Sequence, residues 1–142
     1  MNAKHTIITV FAAFAVVSAT DYLIHQVILK ADYLATKSLW RSPAEMKLLF
    51  NWILVAELMA AAGLTVVWVN AFAATARPAD AFRFGLFAGL LASAYAPMFH
   101  AVMPIPGLLC VKWVIFGVLQ CILVSFVLYE LARPRQSGVI RR

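Results

Sequence analysis

Charge is scarce in this chain. Of its 142 residues only 13% are Asp, Glu, Lys or Arg, and six of these are acidic. A soluble domain carries about 25% charged residues, so this chain has too few to solvate an ordinary protein surface. Cysteine is rarer still. Cys110 and Cys121 sit on one expected helix about three turns apart, too far for a mutual disulfide, and no Cys-x-x-Cys pair is present for thiol exchange. Phosphate loops, dinucleotide fingerprints, serine elbows and zinc-finger spacings are all missing, so no soluble-enzyme reading has a motif behind it. Basic residues are not interleaved with aromatics, which argues against a nucleic-acid partner.

Apolar residues fill the space that charge leaves. They make up 64% of the chain, against roughly 45–50% in a soluble domain, and the mean hydropathy is +0.88. A hydrocarbon core about 30 Å thick needs about 20 such residues per helical crossing. Four stretches qualify, predicting helices over about residues 6–29, 43–70, 82–103 and 108–132. The expectation is an all-α integral membrane bundle of four transmembrane helices forming a single domain over residues 1–142. Lys4 followed by an apolar run and Val17-Ser18-Ala19 has the outline of a secretory signal, but the run continues to Leu29, longer than a signal core, so it is read as a retained helix.

The distribution of basic residues predicts orientation. With the N-terminus cytoplasmic, that side collects Lys4, Arg77, Arg83, Arg133, Arg135, Arg141 and Arg142; the other side has Lys30, Lys37, Arg41 and Lys47. The bias places both termini in the cytoplasm of a bacterial inner membrane. The long connection Lys30–Lys47 mixes aromatics with charge and suits the outer headgroup layer. It ends in Ser42-Pro43-Ala44-Glu45, a helix start with a Ser cap, Pro in the first turn and Glu three residues after the cap. The other two connections carry Arg77-Pro78-Ala79-Asp80 and Pro104-Ile105-Pro106-Gly107. Trp40, Trp52, Trp68, Trp113 and Tyr129 are placed as interfacial anchors. A shift of 61 residues aligns Trp52 with Trp113 and Leu58 with Leu119, the pattern of a tandem two-helix repeat.

Small residues recur every fourth position at Gly85, Gly89 and Ser93, and again at Gly117, Cys121 and Ser125, marking helix-packing faces. The ionisable residues inside the apolar stretches are costly there and ask for a reason. Asp21, His25, Glu57, Tyr95 and His100 are expected to form a polar cluster in the outer half, serving a proton, an ion or structure. Asp21 and His25, four apart, share a helix face and can meet. Ser18 and Gln120 are assigned to the inner half, and Lys112 is expected to snorkel outward. Pro97 deletes a backbone donor beside His100. Met98 and Met103, with His25 and His100, are the candidate metal ligands; a thioether–imidazole set suits Cu(I), although these spacings do not share one face. The cofactor stays unknown.

An acid and a histidine four apart late in the first helix, a Leu-Trp-Arg-x-Pro-like stretch around Trp40, glycines at 85 and 89, and a Pro-Gly turn before Trp113 together resemble a family of short bacterial four-helix inner-membrane proteins of unknown function. The resemblance implies the topology and no activity. Three roles are open. The first is an accessory subunit of a larger membrane complex, respiratory or otherwise energy-transducing, with lipid, other membrane subunits or further copies of itself as partners. The second is a transporter or channel component for protons, metal ions or a small solute. The third is a metal- or haem-dependent membrane enzyme.

Overall fold

The computed structural model describes residues 3–73 and 76–132, and the structural statements below concern these. The basic tail from Arg133 onward lies outside them. Helix α1 (Ala3–Asp21) continues into a π-helical segment (Tyr22–Ile28). Two short helices follow, α2 (Lys30–Ala35) and α3 (Pro43–Leu48), and then the long helix α4 (Phe50–Ala71). Helices α5 (Pro78–Ser93) and α6 (Tyr95–Val102) form one interrupted span, and α7 (Gly107–Ala132) is the last element. Four helical stretches, Ala3–Ile28, Phe50–Ala71, Pro78–Val102 and Gly107–Ala132, are long and apolar enough to span a membrane. Large apolar side chains cover the outside, among them Leu48, Trp52, Met59 and Leu91. That is the surface expected when the surrounding solvent is hydrocarbon.

Local chemistry explains the ends and breaks. Ser42 Oγ accepts from the Glu45 backbone N–H at 3.3 Å and the Glu45 carboxylate accepts from the Ser42 N–H at 3.0 Å, with Pro43 in the first turn. The Ser42 hydroxyl also donates to that carboxylate at 2.7 Å, and this bond, with the one from the Ser42 N–H, holds the Glu45 carboxyl below the usual carboxylate range. The helix expected over 43–70 is divided at Leu49 into α3 and α4. Asp80 plays the Glu45 part at the start of α5, accepting from the Arg77 N–H at 2.9 Å. The third span begins at Pro78, four residues earlier than expected, and breaks at Ala94, because Pro97 has no N–H to offer the carbonyl four residues before it.

Packing follows the small residues. Helices α5 and α7 make the most extensive contact, and α1 packs on α4 and then on α7. A Cβ added at Gly85 would lie 2.5 Å from the Ile122 Cα, one at Gly89 2.6 Å from the Val118 Cα, and one at Gly117 would strike the Ser93 hydroxyl. The two stripes therefore face each other within this chain, backbone against backbone. Aromatic rings bring α4 and α5 together near Trp68, where the Phe84 ring stands 5.4 Å from Trp68 and 5.5 Å from Phe72. Trp68, expected at an interface, is fully buried there instead. Its ring fills the space between α4 and α5 that small residues leave.

Replacing Gly85 by Ala is expected to destabilise the protein by about 1–3 kcal/mol through overpacking. Gly63→Ala, where the added Cβ meets nothing within 4 Å, should be neutral or stabilising by up to about 1 kcal/mol. Thermal unfolding of both variants in one detergent measures the contrast.

Candidate functional site

Polar side chains on α1, α4 and α7 turn inward at one level of the bundle. The Ser18 hydroxyl donates to the Glu57 carboxylate across the α1–α4 contact. The Gln120 amide nitrogen, on α7, reaches Asp21 Oδ1 and Thr20 Oγ1, each at 2.7 Å. Ser18 and Gln120, assigned from sequence to the inner half, thus stand beside Asp21 and Glu57. The reason is hydrogen bonding: a carboxylate in an apolar bundle leaves several lone pairs to fill, and a hydroxyl and an amide on facing helices fill them.

Above this layer, toward the connection between α1 and α4, His25 Nδ1 lies 2.6 Å from the Tyr33 hydroxyl, which accepts the Trp113 indole N–H at 2.8 Å. Since an indole only donates, the arrangement satisfying all three groups has the phenol donating to Nδ1. Asp21 and His25, expected to meet each other, are bonded instead to Gln120 and Tyr33. Tyr33 packs edge-on to Trp40 at 5.4 Å, and Trp40 to Trp113 at 6.1 Å. Lys112 also departs from expectation: it reaches both oxygens of Asp32, at 2.7 and 2.9 Å, and so ties α2 to α7. Helix α2 places Asp32 within reach, which makes pairing available in addition to snorkelling. The connection between α1 and α4 is therefore fastened over one end of the bundle.

Beneath it lies a cavity of about 660 Å³, lined by Asp21, His25, Glu57, Ser93, Tyr95 and Gln120, with Arg41 and Trp113 toward the fastened end. Its volume is in the ordinary range for small-molecule pockets, as is a mostly apolar lining with a few converging polar groups. Of the expected cluster, Asp21, His25, Glu57 and Tyr95 come together here. His100 does not line this cavity. Its Nδ1 donates to the Ile105 carbonyl at 2.6 Å and closes the turn between α6 and α7. Met98 is half exposed, and among the described residues no three His, Cys, Asp or Glu side chains converge as a metal group.

Three participants escaped sequence reading in these roles: Tyr33, Asp32 and Gln120. Asp32 and Tyr33 stand three and four residues after the first apolar run, on the short α2 that faces back over the bundle. A short helix with an acid and an aromatic beside each other was the available signal.

Burial, opposed in part by the Trp113 hydrogen bond and reinforced by nearby carboxylates, pushes the Tyr33 phenol up to about 12. Its proton is then held more tightly folded than unfolded, where it leaves near about 10. Stability from this group is intact below pH about 10 and falls as the pH climbs toward 12. Ultraviolet titration is expected to show a late-titrating tyrosine component that Tyr33→Phe diminishes; an unchanged curve would contradict the buried phenol. Compared with family models, with curated proteins and with solved structures, the chain matches none of them.

Proposed function

We propose that the protein is a small binding or transport component of a bacterial inner membrane that accepts a small cationic or protonatable solute in the cavity between α1, α4, α6 and α7. The observation that carries this reading is the convergence of two carboxyl groups, Asp21 and Glu57, in one cavity of about 660 Å³. Each charged residue near a bilayer centre costs about 2.5–3.5 kcal/mol on insertion scales. Two facing carboxylates repel each other, and a proton or a cation between them relieves that repulsion. Ser18 and Gln120 supply neutral hydrogen bonds and no compensating charge. In this reading both termini are cytoplasmic, the cavity belongs to the outer half, and the two helix pairs descend from a tandem repeat.

The test is binding of ethylamine to protein in nanodiscs. Asp21→Asn and Glu57→Gln are each expected to weaken it at least about tenfold, the equivalent of about 1.4 kcal/mol. Thermal unfolding of the same variants separates roles. Lost stability with unchanged amine binding, or no binding by the parent protein, would refute the reading.

A second reading, an accessory subunit of a larger membrane complex, draws support from the apolar face of α4, where Trp52 and Met59 are about 70% exposed and α1 is the main packing partner. In mild detergent it predicts a partner at fixed stoichiometry; a solitary particle near 15.7 kDa of protein counts against it.

A further inference from the structure

The cavity is not sealed on its side. An apolar groove of about 540 Å³ runs between α4 and α5, walled by Met59, Gly63 and Val67 on α4 and by Phe87 and Leu91 on α5. These walls are open to the surroundings: Met59 is 69% exposed and Leu91 81%. The groove and the cavity share Val17, Ala60, Ala92, Gln120 and Cys121 in their linings, so the two adjoin. Ala60 lies three residues after Glu57, close to one turn, so the groove enters the cavity beside the two carboxyl groups. His25 and Arg41 belong to the opposite side of the cavity, toward the fastened connection. The cavity therefore carries the carboxyl groups, and the adjoining groove is a trough walled by exposed apolar side chains.

We infer that this space binds an amphipathic amine, with its ammonium group between Asp21 and Glu57 and its alkyl chain in the α4–α5 groove, entering sideways from the lipid. The inference rests on the cation-binding reading above and adds the chain and the route. The head meets charge complementarity in a low-dielectric setting, where an ammonium–carboxylate contact is strengthened. The tail exchanges lipid contacts for Met59, Val67 and Leu91 at little cost, so the groove selects shape while the carboxyl groups supply affinity. Gly63 is central to that shape. Nothing approaches within 4 Å of a Cβ placed there, so a side chain at 63 starts into the groove with its first carbon unobstructed.

The experiment uses the full chain in phosphatidylcholine nanodiscs and three diazirine-bearing probes: a dodecylamine, a dodecanol of equal length and an ethylamine. The dodecylamine is expected to crosslink saturably at Met59, Val67 or Leu91. Glu57→Gln and Gly63→Phe should each reduce its labelling at least about fivefold, with unfolding temperatures confirming intact folds. Gly63→Phe should leave ethylamine labelling near Glu57 unchanged. Equal labelling by dodecanol and dodecylamine, or indifference to Gly63→Phe, overturns the inference. If ethylamine labels saturably in a Glu57-dependent way while the long amine gains nothing, the cavity reading survives and the groove assignment falls; if neither amine saturates, both fall. Co-purification of a membrane protein whose crosslinks cover Met59 and Leu91 assigns the groove to a partner helix and likewise overturns the inference.

Discussion

Close backbone contact between α5 and α7 is the constraint from which the rest of this bundle takes its shape. Without a hydrophobic force to drive helices together in lipid, packing itself must do so, and Gly85, Gly89 and Gly117 allow the approach. Helix α7 spends one face on this contact and another on α1. Helix α4 is left with α1 as its principal support. It meets α5 through the rings of Trp68 and Phe84, and a groove separates the two helices beside that contact. The cavity and its groove are the space this unequal pairing leaves open.

Polar chemistry then occupies the opening in an ordered way. Ser18 and Gln120 serve the two carboxyl groups from neighbouring helices, and the indole of Trp113 serves the phenol that in turn serves His25. Every one of these donors sits on a different helix from its acceptor, so the network also fixes the rotation of α1 against α4 and α7. The ion pair of Lys112 with Asp32 adds a tie across the top of the same level. With side chains about one-third and one-fifth exposed, this pair is only partly desolvated, and its contribution is positional more than energetic.

Much of the architecture could be read in the residues. Four spans follow from length and hydropathy alone, the Ser42-Pro43-Glu45 start is a local hydrogen-bonding unit, and the small-residue stripes announce a close helix contact. The site was legible only in part. Asp21, His25, Glu57 and Tyr95 stand out because ionisable or hydroxyl groups are costly in an apolar run. Gln120 and Ser18 do not stand out, since neutral polar residues are common there and their height depends on helix rotation. Tyr33 and Asp32 belong to a connection whose path over the bundle no periodicity encodes. His100 was expected in the cluster because it falls in the same outer half, whereas its side chain turns to the Ile105 carbonyl in the turn before α7.

The four spans are also unequal in length. Helix α7 has 26 residues and α4 has 22, or about 39 Å and 33 Å at 1.5 Å per residue. A bilayer of about 30 Å accommodates the longer helix by tilting it. Since the glycines bind α5 to α7, a tilt of one is shared by the other. The Gln120 contacts with α1 pass that tilt on, so a change in membrane thickness is met by the bundle as a whole and not by one helix alone.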